Sequence, residues 1–417
     1  MAAQLKPVAF QGWNALRLDN GLVTAHLVPE IGGRLLQFTL GGHPFLFTNR
    51  ALDGQRFSPE EHQGDGSLLN WKNYGGDKTW PAPQGWDGAG QWPGPPDKVL
   101  DSGPYSASSE ADADRVSVTM RSAADARTGL RIERKLSLAA GSSQLQLDLS
   151  FENVSQREIR WSIWDVAQLD CEASGSDCWL YVPVDPNEER PWHLLFGEEN
   201  SQLQPDFRPG LFALNYQGIV SKIGLRSPGG WLAFADQRAE QVLCMQFPYE
   251  PDAEYPDGGA TVECWTEMPG VPTPVPIDSP GHILEAEVLG PLRTLQPGES
   301  TNLRITWSVA RCPGPVLAVR DAGCVHQSLC AQSNDGALHL TGTFGVFHQA
   351  RAELAWQDAA GSTLATHDLA EVSPLAPLFV DCHAMAPEGA QSLRLQLRRA
   401  DNELLELDNC TLPTTEG

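Results

Sequence analysis

Apolar and polar residues alternate along most of this 417-residue chain, in short segments separated by glycine, proline and asparagine. The first example is Trp13–Leu18, followed by the turn Asp19-Asn20-Gly21 and by a second alternating segment, Leu22–Val28. A period of two is typical of strands with one buried face, and an Asn-Gly turn between two such segments is typical of a β-hairpin. The chain is therefore predicted to begin with antiparallel β-structure.

The same pattern recurs as far as residue 309, and no segment before that point predicts a helix longer than a few turns. Short strands at regular spacing, with polar turns between them, are typical of a β-sandwich or barrel. The 39 glycines and 32 prolines fit a chain with many turns. We predict further strands at Arg34–Leu40, Val116–Arg121, Leu130–Leu138, Leu145–Glu152, Arg157–Gln168, Trp179–Val182, Ile219–Leu225, Trp231–Ala235, Val242–Phe247, Val262–Thr266, Ile283–Leu289 and Leu303–Val309.

A domain boundary is predicted near Ala310–Pro315, where Pro-Gly-Pro interrupts the strand pattern. We predict a large β domain over residues 1–312, a linker with a short helix over residues 313–332, and a small accessory β-sandwich of immunoglobulin-like type over residues 333–417. Its predicted strands are Ala337–Phe344, Ala350–Gln357, Leu364–Leu369, Leu378–Asp381, Ser392–Arg398 and Glu403–Leu407.

One stretch, residues 73–105, shows neither a helical nor a strand period and contains three tryptophans, Trp80, Trp86 and Trp92, among prolines and glycines. So many prolines disfavour a hydrogen-bonded ladder, so we expect a long loop. Aromatic faces beside a few polar groups suit a ligand with one apolar face, such as a sugar ring. The alternative is a flap whose tryptophans plug the end of a β-sandwich.

Charge and composition exclude several classes of binding partner and bear on the location of the protein. The net charge of −24 and the pI near 4.7 disfavour nucleic acids and anionic membranes. No apolar segment approaches the ~20 residues that cross a bilayer, and the N-terminus lacks the apolar core of a signal peptide. Nine cysteines without paired spacing favour reduced thiols and a cytoplasmic location, or export if a leader has been removed. We find no phosphate loop, dinucleotide motif or regular metal-ligand spacing, and predict no cofactor and no metal.

Three motifs occur in order along the chain, at Pro29–Leu35, at Gly75–Pro83, and at Leu284–Glu287 followed by Leu295–Glu299. Together they resemble motifs of the galactose mutarotase (aldose 1-epimerase-like) superfamily, in a bacterial branch. Pro29–Leu35 resembles the Gly-Gly-Arg-apolar turn that follows the first hairpin of these proteins. Gly75–Pro83 is similar to the Gly-Gly…Trp-Pro loop of the hexose-phosphate epimerases, and Leu284–Glu287 followed by Leu295–Glu299 resembles the segment with the general-base glutamate. The resemblance covers residues from about 10 to 310 and implies a large antiparallel supersandwich.

The resemblance also implies a catalytic pair. Mutarotation needs a base for the anomeric hydroxyl and an acid for the ring oxygen. Glu285 matches the family base, although a surface carboxylate is the alternative. The family's histidine acid has no counterpart in Trp161–Gln168, so Asp165 and His193 remain as candidates. The remaining candidates are substrate-binding residues, namely Arg34, Asn73, Asp77, Lys78, Trp80, Trp86, Trp164, Gln168 and Glu287.

Three functions follow from these observations. The first is a protein that binds or acts on a carbohydrate, a monosaccharide or short glycan, at a mutarotase-like site. The second is a working aldose 1-epimerase or hexose-phosphate epimerase with Glu285 as base. The third is a non-enzymatic interaction protein. Because the histidine is missing, the sequence predicts weak or absent mutarotation with retained sugar binding.

Overall fold

A computed structural model describes residues 2–56, 71–84, 92, 94–95, 97–271, 279–334 and 337–413. Within these ranges the chain is all-β, with two short 3-10 turns at Arg50–Leu52 and Gly175–Asp177 and no α-helix. The all-β class predicted from the alternating pattern is confirmed.

The strands fall into a main part and a C-terminal part. Those of the main part are β1 (Gln4–Phe10), β2 (Trp13–Asp19), β3 (Val23–Val28), β4 (Arg34–Leu40), β5 (His43–Pro44), β6 (Asp77–Ala82), β7 (Ser106–Ala111), β8 (Arg115–Arg121), β9 (Leu130–Ala139), β10 (Gln144–Asn153), β11 (Ile159–Asp170), β12 (Cys178–Pro183), β13 (Trp192–Phe196), β14 (Leu203–Arg208), β15 (Leu211–Asn215), β16 (Ser221–Leu225), β17 (Trp231–Asp236), β18 (Gln241–Gln246), β19 (Val262–Glu267), β20 (Ile283–Leu289), β21 (Arg293–Leu295) and β22 (Ser300–Arg311). Those of the C-terminal part are β23 (Ala318–Arg320), β24 (Gly323–Asn334), β25 (Ala337–Val346), β26 (Ala350–Gln357), β27 (Thr363–Val372), β28 (Leu378–Ala384), β29 (Ser392–Arg398) and β30 (Leu404–Thr411).

Two large antiparallel sheets pack face to face in the main part. One has 12 strands, with the order β1-β2-β3-β4-β6-β11-β20-β19-β16-β13 and with β5 and β21 at its side, and the other has 10 strands, β14-β15-β12-β17-β18-β22-β10-β9-β8-β7. The inner faces of both sheets supply one continuous apolar core, to which Phe38, Leu147, Leu169 and Trp307 belong. This is the supersandwich that the sequence predicted.

The prediction of a long loop over residues 73–105 is wrong in its first part. Asp77–Ala82 forms β6, a buried strand between β4 and β11, in which Pro81 lies opposite Ile163. Trp80 is therefore a strand residue that is 4% exposed. Trp86 lies outside the described residues.

The C-terminal part consists of two four-stranded antiparallel sheets with their own apolar core. The helix predicted within residues 313–332 is wrong, because Ala318–Arg320 and Gly323–Asn334 are the paired strands β23 and β24. Cys324 and Phe347 also join an apolar cluster with main-part residues such as Tyr181. The immunoglobulin-like type and the domain limits remain predictions.

Two features bear on the predicted location of the protein, namely membrane-spanning helices and the state of the cysteines. Among the described residues, no helix has the length and apolarity to cross a membrane. All nine cysteines are free thiols, and six of them are buried. The cytoplasmic location remains a prediction.

Candidate functional site

A cavity of about 280 Å³ opens on the outer face of the 12-stranded sheet, across its six neighbouring strands β6, β11, β20, β19, β16 and β13. Aromatic and charged side chains dominate its wall. The lining residues are Trp71, Trp80, Gln84, Pro95, Trp164, Gln168, Leu195, Phe196, Lys222, Asp257, Glu263, Trp265, Glu267 and Glu285.

Strand alternation selects which side chains reach this face. In the paired strands β11 and β20, Gln168 lies opposite Glu285, and these residues, like Trp164, lie on the cavity side. The residues between them point the other way, as Asp165 does toward Arg134 of the opposite sheet. One face of each central strand thus serves the core and the other serves the cavity.

Tryptophans form one wall of the cavity. The ring centroids of Trp80 and Trp164 are 5.5 Å apart in an edge-to-face arrangement, and Trp71 lies 5.9 Å from Trp80. On the other side, Trp265 packs at 5.4 Å against Phe196. These opposed aromatic surfaces suit the apolar face of a small polar ligand.

Glu285 lines the cavity and is held by two donors. Lys78 Nζ lies 3.1 Å from Glu285 Oε1, and Gln168 Nε2 donates to the same oxygen at 2.8 Å. Lys78 is also 4.6 Å from the ring centre of Trp80, so its position is fixed from two sides. These two contacts fix the position of Glu285 Oε1 in the cavity wall.

Glu267 is the second carboxyl group of the cavity and lies on β19, diagonally across from Glu285 on β20. Burial raises the pKa of Glu267 to about 7, and the neighbouring charge of Glu285 adds to this shift. The side chains of Trp265 and Ser279 hydrogen bond to it and act in the opposite direction. At neutral pH a large fraction of Glu267 is therefore protonated, while its neighbour is held by cationic and amide donors.

A third acidic group combines two glutamates with one lysine. Lys222 Nζ lies 2.6 Å from Glu263 Oε2 and 3.1 Å from Glu287 Oε2, and Trp164 Nε1 donates to Glu287 Oε2 at 2.7 Å. Burial and then mutual repulsion raise the pKa of Glu263 well above its ordinary value, and burial raises that of Glu287 as well. Burial alone would lower the pKa of Lys222, but the two carboxylates raise it.

Several buried polar atoms of this region have no hydrogen-bond partner among the described residues. They are Gln168 Oε1, Glu263 Oε1, Glu287 Oε1 and Trp80 Nε1. Buried polar atoms in folded proteins are nearly always paired, with protein, water or ligand. Four such atoms around one cavity indicate a site that a polar ligand or ordered water completes.

The cavity is acidic overall. Its described lining residues include four acidic side chains, Asp257, Glu263, Glu267 and Glu285, and one basic side chain, Lys222. That lysine is already paired with two carboxylates. Like charges repel in a partly dehydrated site, so the cavity disfavours anionic ligands.

Six of the residues predicted from the sequence meet at this site. Trp80, Trp164, Gln168 and Glu285 line the cavity directly. Lys78 and Glu287 lie behind the lining and bond to residues in it. Both faces of β20 are covered, so Glu285 and Glu287 are not the solvent-facing carboxylates of the alternative interpretation.

Asp165 and Asp77, predicted as a catalytic residue and a sugar contact, lie on the opposite face of the sheet. Both are fully buried between the sheets, where Arg134 forms an ion pair with Asp77 and lies 3.8 Å from Asp165. Thr79 Oγ1 donates to Asp165 Oδ1 at 2.9 Å. Side-chain alternation separates this group from the cavity, so neither aspartate is placed to touch a ligand there.

His193 lies on β13 at the edge of the sheet and does not line the cavity. Its Nε2–H donates to the backbone carbonyl of Asp257 at 2.8 Å, which fixes the ring away from Glu285. A histidine committed to a backbone carbonyl anchors a loop. It does not supply the missing acid.

Arg34 and Asn73 also lie away from the cavity. Arg34 is fully buried and forms an ion pair with Asp101, and its Nη1 donates to the Gly75 carbonyl at 3.2 Å. Asn73 Oδ1 accepts a hydrogen bond from the Gly75 amide at 3.1 Å. Both residues hold the glycine turn that leads into β6.

Four residues of the cavity were not predicted from the sequence, namely Lys222, Glu263, Trp265 and Glu267. Three of them share the segment Val262–Glu267, in which two glutamates and a tryptophan alternate with smaller residues. The alternation of polar and smaller residues was the signal in the sequence that could have indicated a strand with a polar, half-buried face. The pairing of β19 with β20 and β16 brings these residues to Glu285. No single segment of the sequence predicts this pairing.

The fold and the site together define an all-β protein with an acidic, tryptophan-walled cavity on one sheet of a supersandwich. The chain belongs to the family described as a domain of unknown function (DUF4380), whose profile matches residues 14–310. No curated protein matches the chain.

Two solved structures with TM-scores of 0.50 or more show the same fold at low sequence identity. A "putative aldose 1-epimerase" from Klebsiella pneumoniae is 12% identical with a TM-score of 0.51, over 75% of this chain and 84% of that one. A TPR-domain containing protein from Parabacteroides distasonis is 13% identical with a TM-score of 0.50, over 77% of this chain and 55% of that one. A galactose mutarotase-like protein from Clostridium acetobutylicum is 14% identical with a TM-score of 0.45, over 74% and 99%. The galactose mutarotase-like fold inferred from the three motifs is confirmed.

Proposed function

We propose that the cavity binds a monosaccharide and interconverts its anomers, with Glu285 as general base and Glu267 as general acid. The observation that supports this most is the carboxyl of Glu267, whose pKa is raised to about 7 beside Glu285. A carboxyl group whose pKa lies near the working pH is suited to act as a general acid at neutral pH, and Glu285 lies diagonally across from it on β20 to act as the base. Glu267 would thus take the role for which Trp161–Gln168 contains no histidine.

Ring opening would transfer two protons, one to Glu285 and one from Glu267. Glu285 would take the proton of the anomeric hydroxyl, and the protonated Glu267 would give its proton to the ring oxygen as the ring bond breaks. Lys78 and Gln168 both donate hydrogen bonds to Glu285 Oε1. The other oxygen, Glu285 Oε2, is therefore the one that would accept the proton of the anomeric hydroxyl. Ring closure on either face of the aldehyde then returns both protons.

The size and walls of the cavity favour a single sugar ring. Its volume of about 280 Å³ is at or just below the lower end of typical ligand pockets, ~300–1,000 Å³. Trp164 and Trp265 offer faces for the C–H side of a ring, while Gln168, Glu263 and Glu285 offer acceptors for hydroxyl groups.

The hexose-phosphate alternative has less support. Phosphate sites usually combine arginine pairs or helix N-termini. Among the described lining residues there is no arginine, and the one lysine, Lys222, is paired with Glu263 and Glu287. A neutral or cationic sugar fits this charge balance better than a phosphosugar.

The proposal predicts a specific pH dependence. Glu267 acts only when protonated, so kcat/KM for anomer interconversion should fall as pH rises through about 7. In Glu267→Gln this descending limb should be absent, and the remaining rate should be lower by ~10²–10⁴-fold. Exchange spectroscopy of free monosaccharides by NMR, from pH 5 to pH 9, measures both quantities.

Two results would contradict this assignment. One is a descending limb that persists in Glu267→Gln. The other is a broad sugar panel in which wild-type protein accelerates no interconversion. Retained binding without turnover would return the protein to the sugar-binding function predicted from the sequence.

Trp265→Ala is expected to weaken sugar binding by about tenfold or more, because a half-buried aromatic wall of the cavity is lost. Trp179→Ala is the matched control, since Trp179 is also half-buried and stacks on Tyr181 in the opposite sheet. Calorimetric titration compares the affinities, and thermal melts compare the stabilities. Equal loss of affinity in the two variants would show that Trp265 acts only through stability.

A further inference from the structure

We infer that the preferred ligand of this cavity is an aldose carrying a primary ammonium group, and that Glu263 and Glu287 recognise this group. The inference rests on the proposed function, since it names the class of sugar for the same site. It goes beyond that function because it assigns residues that take no part in the acid–base steps.

The position of the two glutamates supports the inference. Glu263 and Glu287 lie directly opposite each other on β19 and β20, and they are 1% and 0% exposed. Glu263 lines the cavity, and Glu287, its cross-strand neighbour, is not among the lining residues. Each carboxylate uses its Oε2 for Lys222, whereas each Oε1 has no partner among the described residues.

The charge of this group is unbalanced. Two carboxylates face one lysine, and Asp257 adds a further negative charge beside Glu263. A hydroxyl group of a neutral sugar can donate one hydrogen bond but carries no charge. An ammonium group has three donors, which match two unpaired carboxylate oxygens and one ring hydroxyl or water, and its charge offsets the excess.

The aromatic rings beside the glutamates favour the same ligand. Trp265 and Phe196 are the cross-strand neighbours of Lys222 on β19 and β13, and their ring centroids are 5.4 Å apart. Lys222 Nζ itself lies 4.4 Å from the ring centre of Trp164. Aromatic faces next to carboxylates are a common environment for amines.

Ammonium binding should also move a proton. Without ligand, Glu263 faces Glu287, Asp257 and Lys222, and its pKa is raised well above its ordinary value by burial and by the two other carboxylates. The two glutamates therefore bind protons more tightly than exposed carboxyl groups do. A bound ammonium group stabilises their ionised forms and lowers these pKa values, so binding should release protons to the solvent.

The test compares three forms of each hexose by calorimetric titration at pH 7. These are the 2-amino-2-deoxy sugar, the parent hexose and the N-acetyl derivative, in the gluco, galacto and manno series. For at least one series we expect the amine to bind about 10- to 100-fold more tightly than the other two. Titration in two buffers with different ionisation enthalpies should show proton release for the amine and none for the parent hexose.

Variants assign the preference to the glutamates. Glu263→Gln should bring the affinity for the amine down to that for the parent hexose, and Glu287→Gln should do the same if the first variant does not fold. Glu254→Gln, an exposed change of the same charge, should keep the preference. Equal affinity of wild-type protein for amine and parent hexose would overturn the inference and leave the proposed function standing. Binding of no sugar in any form would overturn both.

Discussion

Replacing Glu285 with glutamine is expected to slow anomer interconversion by ~10²–10⁴-fold, the usual contribution of a general base. In the wild type, Lys78 and Gln168 donate hydrogen bonds to Glu285 Oε1. Glutamine keeps the size of the side chain and an oxygen that can accept the same hydrogen bonds. Sugar affinity should therefore change much less than turnover. Polarimetry of a freshly dissolved sugar measures the rate, and calorimetric titration measures the affinity.

The double variant Glu285→Gln/Glu267→Gln makes this test more specific. Groups that act as a unit give non-additive losses, so the double variant should be about as slow as the slower single variant. Glu254→Gln, an exposed carboxyl paired with Arg160 away from the cavity, is the matched control. A Glu285→Gln protein with the wild-type rate would exclude Glu285 as the base and leave a binding site without this chemistry.

Much of the fold was predictable because each strand carries its own signal. Trp13–Leu18 and Leu22–Val28 alternate around an Asn-Gly turn, and the structure has a hairpin there. The signal failed at Asp77–Ala82, where a proline lies in a central strand. It also failed at residues 318–332, where alanine, leucine and glutamine favour a helix but pairing with β25 makes a strand.

The site was predictable only in part, for a related reason. Glu285 and Gln168 were found because short motifs resemble a known superfamily, whereas Glu267 and Glu263 reach the cavity through strand pairing. Asp165 shows the limit in the other direction. It stands one residue from Trp164, yet alternation turns its side chain into the core beside Arg134. Sequence shows which residues share a face, and pairing decides which face is the site.

Arg134→Met is expected to lower the free energy of unfolding by about 3–5 kcal/mol, because it leaves a buried charge without its partner. Arg134 is fully buried, forms an ion pair with Asp77, and donates to the backbone carbonyls of Gly33 at 2.7 Å and Asp77 at 3.0 Å. Methionine keeps much of the volume but offers none of these bonds. Urea titration followed by tryptophan fluorescence at pH 7 measures the loss.

Asp165→Asn, in the same buried group, is expected to be at least as stable as the wild type at pH 7. Burial and the adjacent Asp77 charge raise the pKa of Asp165 well above its ordinary value, so the folded protein keeps this proton while the unfolded chain releases it near pH 4. Asp165 should therefore contribute a fall in stability of up to ~1.4 kcal/mol per pH unit as pH rises above 4, and Asp165→Asn should lack this contribution. Asparagine still accepts the hydrogen bond from Thr79, so its cost at pH 4 should be small. If Asp165→Asn instead lost as much stability as Arg134→Met at pH 7, Asp165 would be an ionised partner of Arg134, and the buried group would carry a net negative charge beneath the cavity.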